Sequence, residues 1–266
     1  MKKFMIRCDM EGASGIVSYE QAEPQKSEYD EGRRLFMSDL TALVTGLHDG
    51  GADEIHVYDE HFWGRNIMLD MLPDYVYTYC GKPNYTLESA GGLDSSFSGL
   101  VLLGFHSKAG TEGALLNHTY ESDIADLRLN GLSVGEIGME TAVAGSFGVP
   151  LLMYTGDSEG ARETKLLSPD TVCVSVKESL SPEGALCYPM SRTSKLIYSA
   201  SYQIASKLPT VAPWKCEATT LEVELRDTPY ARKYFELYGD SPIRGDSANA
   251  CWVEYLKRKA EVKKLI

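Results

Sequence analysis

The chain has 266 residues, six scattered cysteines without a C-x-x-C pair, and a formal net charge of −12. This length can bury a substantial core, as one α/β domain or as a main domain with a smaller appendage. A chain this negative lacks the basic surface that binds nucleic acid or an anionic membrane. No apolar run approaches the ~20 residues that span a bilayer. With no export signal visible, we expect a cytoplasmic protein whose partners are small molecules or copies of itself.

The first predicted elements form a β-α-β unit. Residues 3–8 predict a short strand that stops at Asp9. From about Ser27 to His48, apolar residues recur at helical spacing until Gly50-Gly51 closes the helix, and Glu54–Tyr58 predicts the next strand. Such a unit favours a parallel sheet with a right-handed crossover.

Three more strands and one apolar helix are predicted before residue 180. The strands are Val76–Tyr79, Leu100–Leu103 and Pro150–Tyr154, and the helix runs from about Glu136 to Phe147. The alternation of strands and helices predicts an α/β fold with a doubly wound, mostly parallel sheet and helices on both faces.

The pattern changes after about Pro209. One alternating strand (Thr220–Leu225) and a basic amphipathic helix (Ala250–Leu265) predict a smaller C-terminal α+β subregion. We therefore divide the chain into an α/β region, residues 1–180, and a C-terminal subregion, residues 181–266. The second can be continuous with the first and can take part in oligomer contacts.

Two carboxylates follow the first predicted strand. In an extended chain, residues two apart point to the same side, so Asp9 and Glu11 are directed to one location. Together they could bind a cation, although a turn with solvated acids or a helix cap would explain the pair equally well.

Two histidines also follow predicted strands. His61 comes just after the second strand, and His106 comes after the Leu100–Leu103 strand. A lone histidine in such a place is more often an ordinary surface or core residue. A parallel sheet, however, brings the carboxyl ends of its strands to one edge, so Asp, Glu and two His delivered by three strands predict a shared cation site.

Glu136 begins the predicted apolar helix, where by itself it is explained as an acid that complements the helix dipole. Beside Asp9, Glu11, His61 and His106, it could complete a metal shell. Nitrogen and oxygen donors without thiolate suit Zn²⁺, with Mn²⁺ as the alternative, and five protein ligands can bind two ions if one carboxylate bridges. We therefore expect two zinc ions per chain.

His118 lies in a polar loop between Asn117 and Thr119. It is either an ordinary loop histidine or an acid–base group near the metals. Tyr19, Asn117 and Tyr120 are candidate substrate contacts, but an ordinary loop role is the simpler explanation for all three.

Five motifs, in order over roughly residues 4–180, resemble those of the M55 metallopeptidases, the D-aminopeptidase family. They are Asp9-Met-Glu-Gly12, Asp59-Glu-His61, Gly104-Phe-His106, Asn117-His118 and Gly135-Glu-Ile-Gly138. The resemblance implies a zinc-dependent aminopeptidase that hydrolyses N-terminal bonds of D-amino-acid-containing or cell-wall-type peptides by attack of a metal-bound hydroxide, with His118 as the catalytic residue.

The resemblance also implies roles for the metal ligands. Asp9 would bridge the two zinc ions, Glu11 and His106 would complete one site, and His61 and Glu136 would complete the other. Homo-oligomeric rings of ten subunits, with active sites facing an inner channel, are implied in the same way. The C-terminal third, from about Pro182, matches the family less well.

Two alternatives to a peptidase remain open from the sequence. One is a metal-dependent hydrolase of another amide or of a phosphoester. The phosphoryl version is disfavoured because the chain has no G-x-x-x-x-G-K-[ST] loop and is strongly negative. The other is a non-catalytic metal-binding or ligand-binding scaffold, against which the complete set of five ligands and His118 argues.

Overall fold

Two β-sheets and seven α-helices make up the fold in the computed structural model, which describes residues 1–266. The strands are β1 Lys3–Cys8, β2 Glu54–Asp59, β3 Val76–Tyr79, β4 Gly99–Phe105, β5 Ile124–Leu129, β6 Leu132–Val134, β7 Leu151–Asp157, β8 Val172–Ser181, β9 Gly184–Cys187, β10 Thr219–Leu225 and β11 Ile243–Gly245. The helices are α1 Tyr19–Ala22, α2 Tyr29–Asp49, α3 Glu136–Ser146, α4 Ser158–Leu167, α5 Met190–Ser206, α6 Pro229–Tyr238 and α7 Ala248–Lys263, with a short 3-10 helix at Leu69–Met71.

The large sheet has seven strands in the order β3-β2-β1-β4-β7-β8-β9. All neighbours run parallel except β8 and β9, which form an antiparallel hairpin at one edge. Strands β1, β4 and β7 are buried along almost their whole length, as expected for parallel strands covered on both faces.

Helices cover both faces of this sheet, as the sequence predicts. Phe4 and Ile6 of β1 pack on one face in a cluster with Leu40 of α2 and Ile197 of α5. Met5 packs on the opposite face, in a cluster with residues of α3. The alternation along β1 therefore supplies two separate cores, and the predicted doubly wound architecture is confirmed.

A second sheet has four antiparallel strands in the order β11-β10-β5-β6. Helix α3 lies between the two sheets, because its Met139 and Val143 pack with the second sheet while Ile137 and Ala144 pack with the first. A helix buried on all sides needs an apolar sequence all round, which explains the composition of α3.

The predicted elements of the β-α-β unit, the strand at Val76–Tyr79 and helix α3 are confirmed, as are strand β10 and helix α7. The hairpin β5-β6, which joins the second sheet beside β10, was not predicted from the sequence. The second sheet thus takes strands from both sides of residue 180, and β8 spans that position. The division into regions 1–180 and 181–266 stays a prediction. None of the helices has the length and apolarity required to cross a bilayer.

Candidate metal centre

The candidate ligands lie at the carboxyl ends of three adjacent strands. Strand β1 lies between β2 and β4 in the sheet, and Asp9, His61 and His106 follow these three strands. The chain progresses outward from β1 through β2 and β3 on one side and through β4, β7 and β8 on the other. The site is therefore at the point where the strand order reverses, the usual ligand position in open α/β sheets.

Two glycines allow the β1 and β4 ends to come together. The amide of Gly12 donates to the carbonyl of Gly104 at 2.7 Å. A Cβ on Gly12 would collide with the carbonyl of Phe105, and a Cβ on Gly104, whose φ is +73°, would collide with the carbonyl of Asp9. Glycine at both positions brings the two backbones close enough for Asp9 and His106 to meet.

The first ligand group contains Asp9, Glu11 and His61, all buried. Nδ1 of His61 lies 2.8 Å from Oδ1 of Asp9 and 3.1 Å from Oε2 of Glu11. Nε2 of His61 donates to the carbonyl of Ala22 at 2.8 Å. That bond sets the tautomer, so the lone pair of Nδ1 is directed at the acids.

The second group contains His106, His118 and Glu136. Nε2 of His106 lies 3.3 Å from Oδ2 of Asp9 and 3.5 Å from Oε1 of Glu136, and Nε2 of His118 lies 3.7 Å from the same Glu136 oxygen. The two imidazole rings stack with centroids 4.2 Å apart. Each donates from Nδ1 to a backbone carbonyl, which leaves both Nε2 atoms facing the carboxylates.

Asp9 therefore lies between the two groups, with one carboxylate oxygen on each side. Among the other side chains, Glu11 lies beside His61, and Glu136 lies beside His106, whereas the expected division of these ligands between the two zinc ions stays a prediction. The reason for these contacts is the side of Asp9 on which each element lies: His61 follows β2 on one side of β1, whereas His106 follows β4 on the other, adjacent to the start of α3.

The acids of the site require positive charge. Burial alone would lower the pKa of His61, but the charge of Glu11 and the hydrogen bond to Asp9 raise it well above the usual value. Burial would also lower the pKa of His106, but Asp9 and Glu136 outweigh it and raise that pKa well above the usual value. Conversely, burial would raise the pKa of Asp9, but its hydrogen bonds with His106 and His61 keep that pKa well below normal. Protons or a metal cation can supply the required charge.

Unpaired polar atoms indicate that a metal fits this site. Oδ2 of Asp9, Oε2 of Glu11 and Nε2 of His106 are buried and make no hydrogen bond of good geometry. Such atoms are costly in a folded protein unless a ligand satisfies them. Carboxylate and imidazole donors, with no thiolate among them, match the preferences of Zn²⁺.

Sequence reasoning missed two buried charges that position the loop bearing Glu11. Lys177 of β8 donates from Nζ to the carbonyls of Glu11 at 2.6 Å and Ala13 at 2.8 Å, and also to that of Ile16. Asp39 of α2 accepts from the amide of Ser14 at 2.8 Å. Burial lowers the pKa of Lys177 to about 8 and raises that of Asp39 to about 6. The alternating apolar residues of β8 are Val172, Val174 and Val176, and Lys177 lies outside that alternation, so the local pattern gave no signal of its burial.

Comparisons with known proteins agree with this geometry. The sequence pattern of the M55 peptidase family, described as D-aminopeptidase, matches residues 1–244. A D-aminopeptidase of Bacillus subtilis (strain 168) is 29% identical over 197 residues, which cover 73% of this chain and 70% of that protein. The solved structure of the Zn-dependent D-aminopeptidase DppA from Bacillus subtilis, described as a self-compartmentalizing protease, is similar in fold. It superposes with a TM-score of 0.87 and 23% identity, over 98% of this chain and 97% of that one. The match over most of the chain, together with the fold, shows that this protein belongs to the M55 peptidase family of D-aminopeptidases.

Proposed function

We propose that this protein is a zinc-dependent aminopeptidase that removes N-terminal residues from short peptides, with D-amino acids as the preferred residues. The observation that carries the proposal is the position of Asp9, whose two carboxylate oxygens are directed at two separate groups of buried ligands. One carboxylate shared by two ligand groups is the arrangement that a two-metal hydrolase requires.

The ligands divide between two metal positions. Asp9, Glu11 and His61 would bind one zinc ion, and Asp9, His106 and Glu136 would bind the other. Zinc bound there supplies Lewis-acid activation of water and of the scissile carbonyl. The backbone carbonyls that accept from His61 and His106 fix both rings in the tautomer that presents a free nitrogen to the site.

His118 is assigned to proton transfer. Its side chain is 27% exposed, whereas that of His106 is 1% exposed, so His118 lies on the side from which substrate can enter. Its Nδ1 proton is bound to the carbonyl of Leu116 at 3.0 Å, which leaves Nε2 to accept a proton and to donate it to the leaving amine. The edge of Tyr19 faces His118, with ring centroids 6.2 Å apart, and Tyr19 is a candidate for contact with the substrate.

We also infer that the chain forms homo-oligomers, because the structurally similar DppA is described as self-compartmentalizing. A ring of ten subunits is the specific form that we propose. A cytoplasmic location is proposed as well, and the six cysteines, all present as free thiols, are compatible with it. Light scattering coupled to size-exclusion chromatography measures the subunit number directly.

The test of function is hydrolysis by zinc-loaded protein of a panel of paired L- and D-aminoacyl dipeptides and muropeptide fragments. We expect release of the N-terminal residue, with the D-aminoacyl member of each pair preferred, and about two zinc ions per chain by elemental analysis. Equal rates on both members would contradict the stereochemical assignment. Hydrolysis of internal bonds alone would indicate another amide hydrolase, and no hydrolysis with both ions bound would indicate a binding scaffold.

A further inference from the structure

The loop that carries His118 is held in a strained backbone conformation. Leu116 and Tyr120, on either side of His118, both have left-handed backbone angles, with φ of 48° and 56°. Residues other than glycine adopt this conformation at a cost, and it persists where surrounding contacts determine it. The contacts of Leu116 and Tyr120 therefore decide where His118 lies.

At the first end of the loop, the contacts are made by the backbone of Leu116. Its amide donates to the carbonyl of Pro182 at 3.0 Å. Its own carbonyl accepts from Nδ1 of His118 at 3.0 Å and from the hydroxyl of Tyr19 at 3.2 Å. This end is anchored by backbone groups together with the side chains of His118 and Tyr19, without any carboxylate of the metal centre.

At the second end, Tyr120 contacts two acids of helix α3. Its amide donates to Oε1 of Glu136 at 2.6 Å, and its hydroxyl donates to Oε1 of Glu140 at 2.8 Å. Glu136 and Glu140 lie one helical turn apart on the same face of α3. The ring packs on Trp252 of α7, with centroids 4.7 Å apart. One residue thus binds a metal ligand through its backbone and a neighbouring acid through its side chain.

Glu140 is itself fixed by a buried cation. Arg7 of β1 is 1% exposed and forms an ion pair with Glu140, and it also lies 3.1 Å from Glu60, the neighbour of His61. The hydroxyl of Tyr120 is therefore anchored to a charged pair inside the protein. Rotation of the Tyr120 side chain away from Glu140 would leave a buried acceptor without its partner, which opposes movement of the loop.

We propose that Tyr120 is a positioning residue that fixes both Glu136 and the His118 loop at the second zinc position. This inference rests on the proposed function for the identity of the metal. The Tyr120 amide binds the same Glu136 oxygen that lies nearest His106 and His118, so it sets the orientation of that carboxylate. The side-chain contact with Glu140 keeps the amide in place.

The test compares Tyr120→Phe with Tyr85→Phe in the full-length protein. Tyr85 is a matched control because its hydroxyl contacts Arg7 and Glu60 in the same buried cluster, whereas it makes no hydrogen bond to Glu136 or to the His118 loop. Both zinc dissociation constants are measured on metal-free protein by competition with a chelating dye. Thermal unfolding and the kcat and KM for a chromogenic D-aminoacyl anilide are measured in parallel.

We expect Tyr120→Phe to weaken one of the two zinc ions at least tenfold, the usual scale for residues that orient metal ligands, and to lower kcat about tenfold with little change in KM. The affinity of Tyr120→Phe for the other ion should stay within about twofold of that of the natural chain. The zinc affinities and kcat of Tyr85→Phe should stay within the same range. Tyr120→Gly, which removes the backbone strain together with the side chain, should weaken the same ion.

Three results would overturn the inference: unchanged zinc affinities in Tyr120→Phe, an equal loss in Tyr85→Phe, or full zinc binding in Tyr120→Gly. Zinc binding is measured without substrate, so the test is independent of hydrolysis. A natural chain that binds two zinc ions but cleaves no aminoacyl substrate would overturn the proposed function while leaving the positioning role to be decided by the affinities.

Discussion

Replacing Gly12 with alanine would force apart the two backbones that carry Asp9 and His106. The added Cβ would lie well inside 3.0 Å of the carbonyl oxygen of Phe105, a separation that real Cβ atoms essentially never show. Because the obstructing atom is backbone, no side chain can rotate away, and one strand end must move by about 1 Å. Metal sites tolerate changes of only about 0.2 Å in ligand distances, so this movement exceeds the tolerance about fivefold.

We therefore expect Gly12→Ala to lose at least one zinc ion. The overpacking should also destabilise the fold by about 1–3 kcal/mol, which for a chain of this size lowers Tm by roughly 3–10 °C. Elemental analysis after zinc loading and thermal unfolding of the metal-free protein measure the two effects separately.

Gly148→Ala is the matched control for Gly12→Ala. Gly148 has a φ of +75° and nothing within 4 Å of an added Cβ, so alanine there is strained but does not collide with a neighbour. The control should lose stability and keep both zinc ions. If Gly12→Ala bound two zinc ions with the affinity of the natural chain, close backbone approach would not be what builds the site, and the reasoning would be refuted.

Four further substitutions test individual residues. His118→Ala should reduce kcat by roughly 10²–10⁴-fold while zinc content and Tm stay nearly unchanged. A loss of zinc would instead identify His118 as a metal ligand, and a kcat within a few-fold of the natural value would identify it as an ordinary loop residue. Asp9→Ala should lose both zinc ions and Glu11→Ala mainly one, and elemental analysis that found both ions retained in Asp9→Ala would exclude the bridging role. Burial raises the pKa of Asp39 from 3.8 to about 6, so the folded state keeps a proton that the unfolded chain releases between these values. Relative to Asp39→Asn, the natural chain should therefore lose roughly 3 kcal/mol of stability as pH rises through this window, at about 1.36 kcal/mol per unit. Urea unfolding of chelator-treated proteins would contradict this if the two pH profiles were parallel.

The sequence by itself determined the elements with strong local patterns. The apolar run of β1, the helical spacing before Gly50 and the alternation of β10 each reflect which side of one element is buried, and local periodicity encodes that directly. The edge that would carry the site was also predictable, because the carboxyl ends of parallel strands share one side of a sheet. For this reason the sequence pattern alone was enough to predict that Asp9, His61 and His106 lie together.

Only the tertiary structure decided which neighbours each side chain has. Periodicity does not specify the order of strands in a sheet. The pairing of β5 with β10 and the contact of Glu11 with His61 could therefore not be predicted from it. The buried contacts of Lys177 and Tyr120 were missed for the same reason: Lys177 and Glu11 lie 166 positions apart in the chain, and Tyr120 and Glu140 lie 20 positions apart. Their roles depend on buried hydrogen bonds, and the geometry of those bonds exists only once separate parts of the chain have packed together.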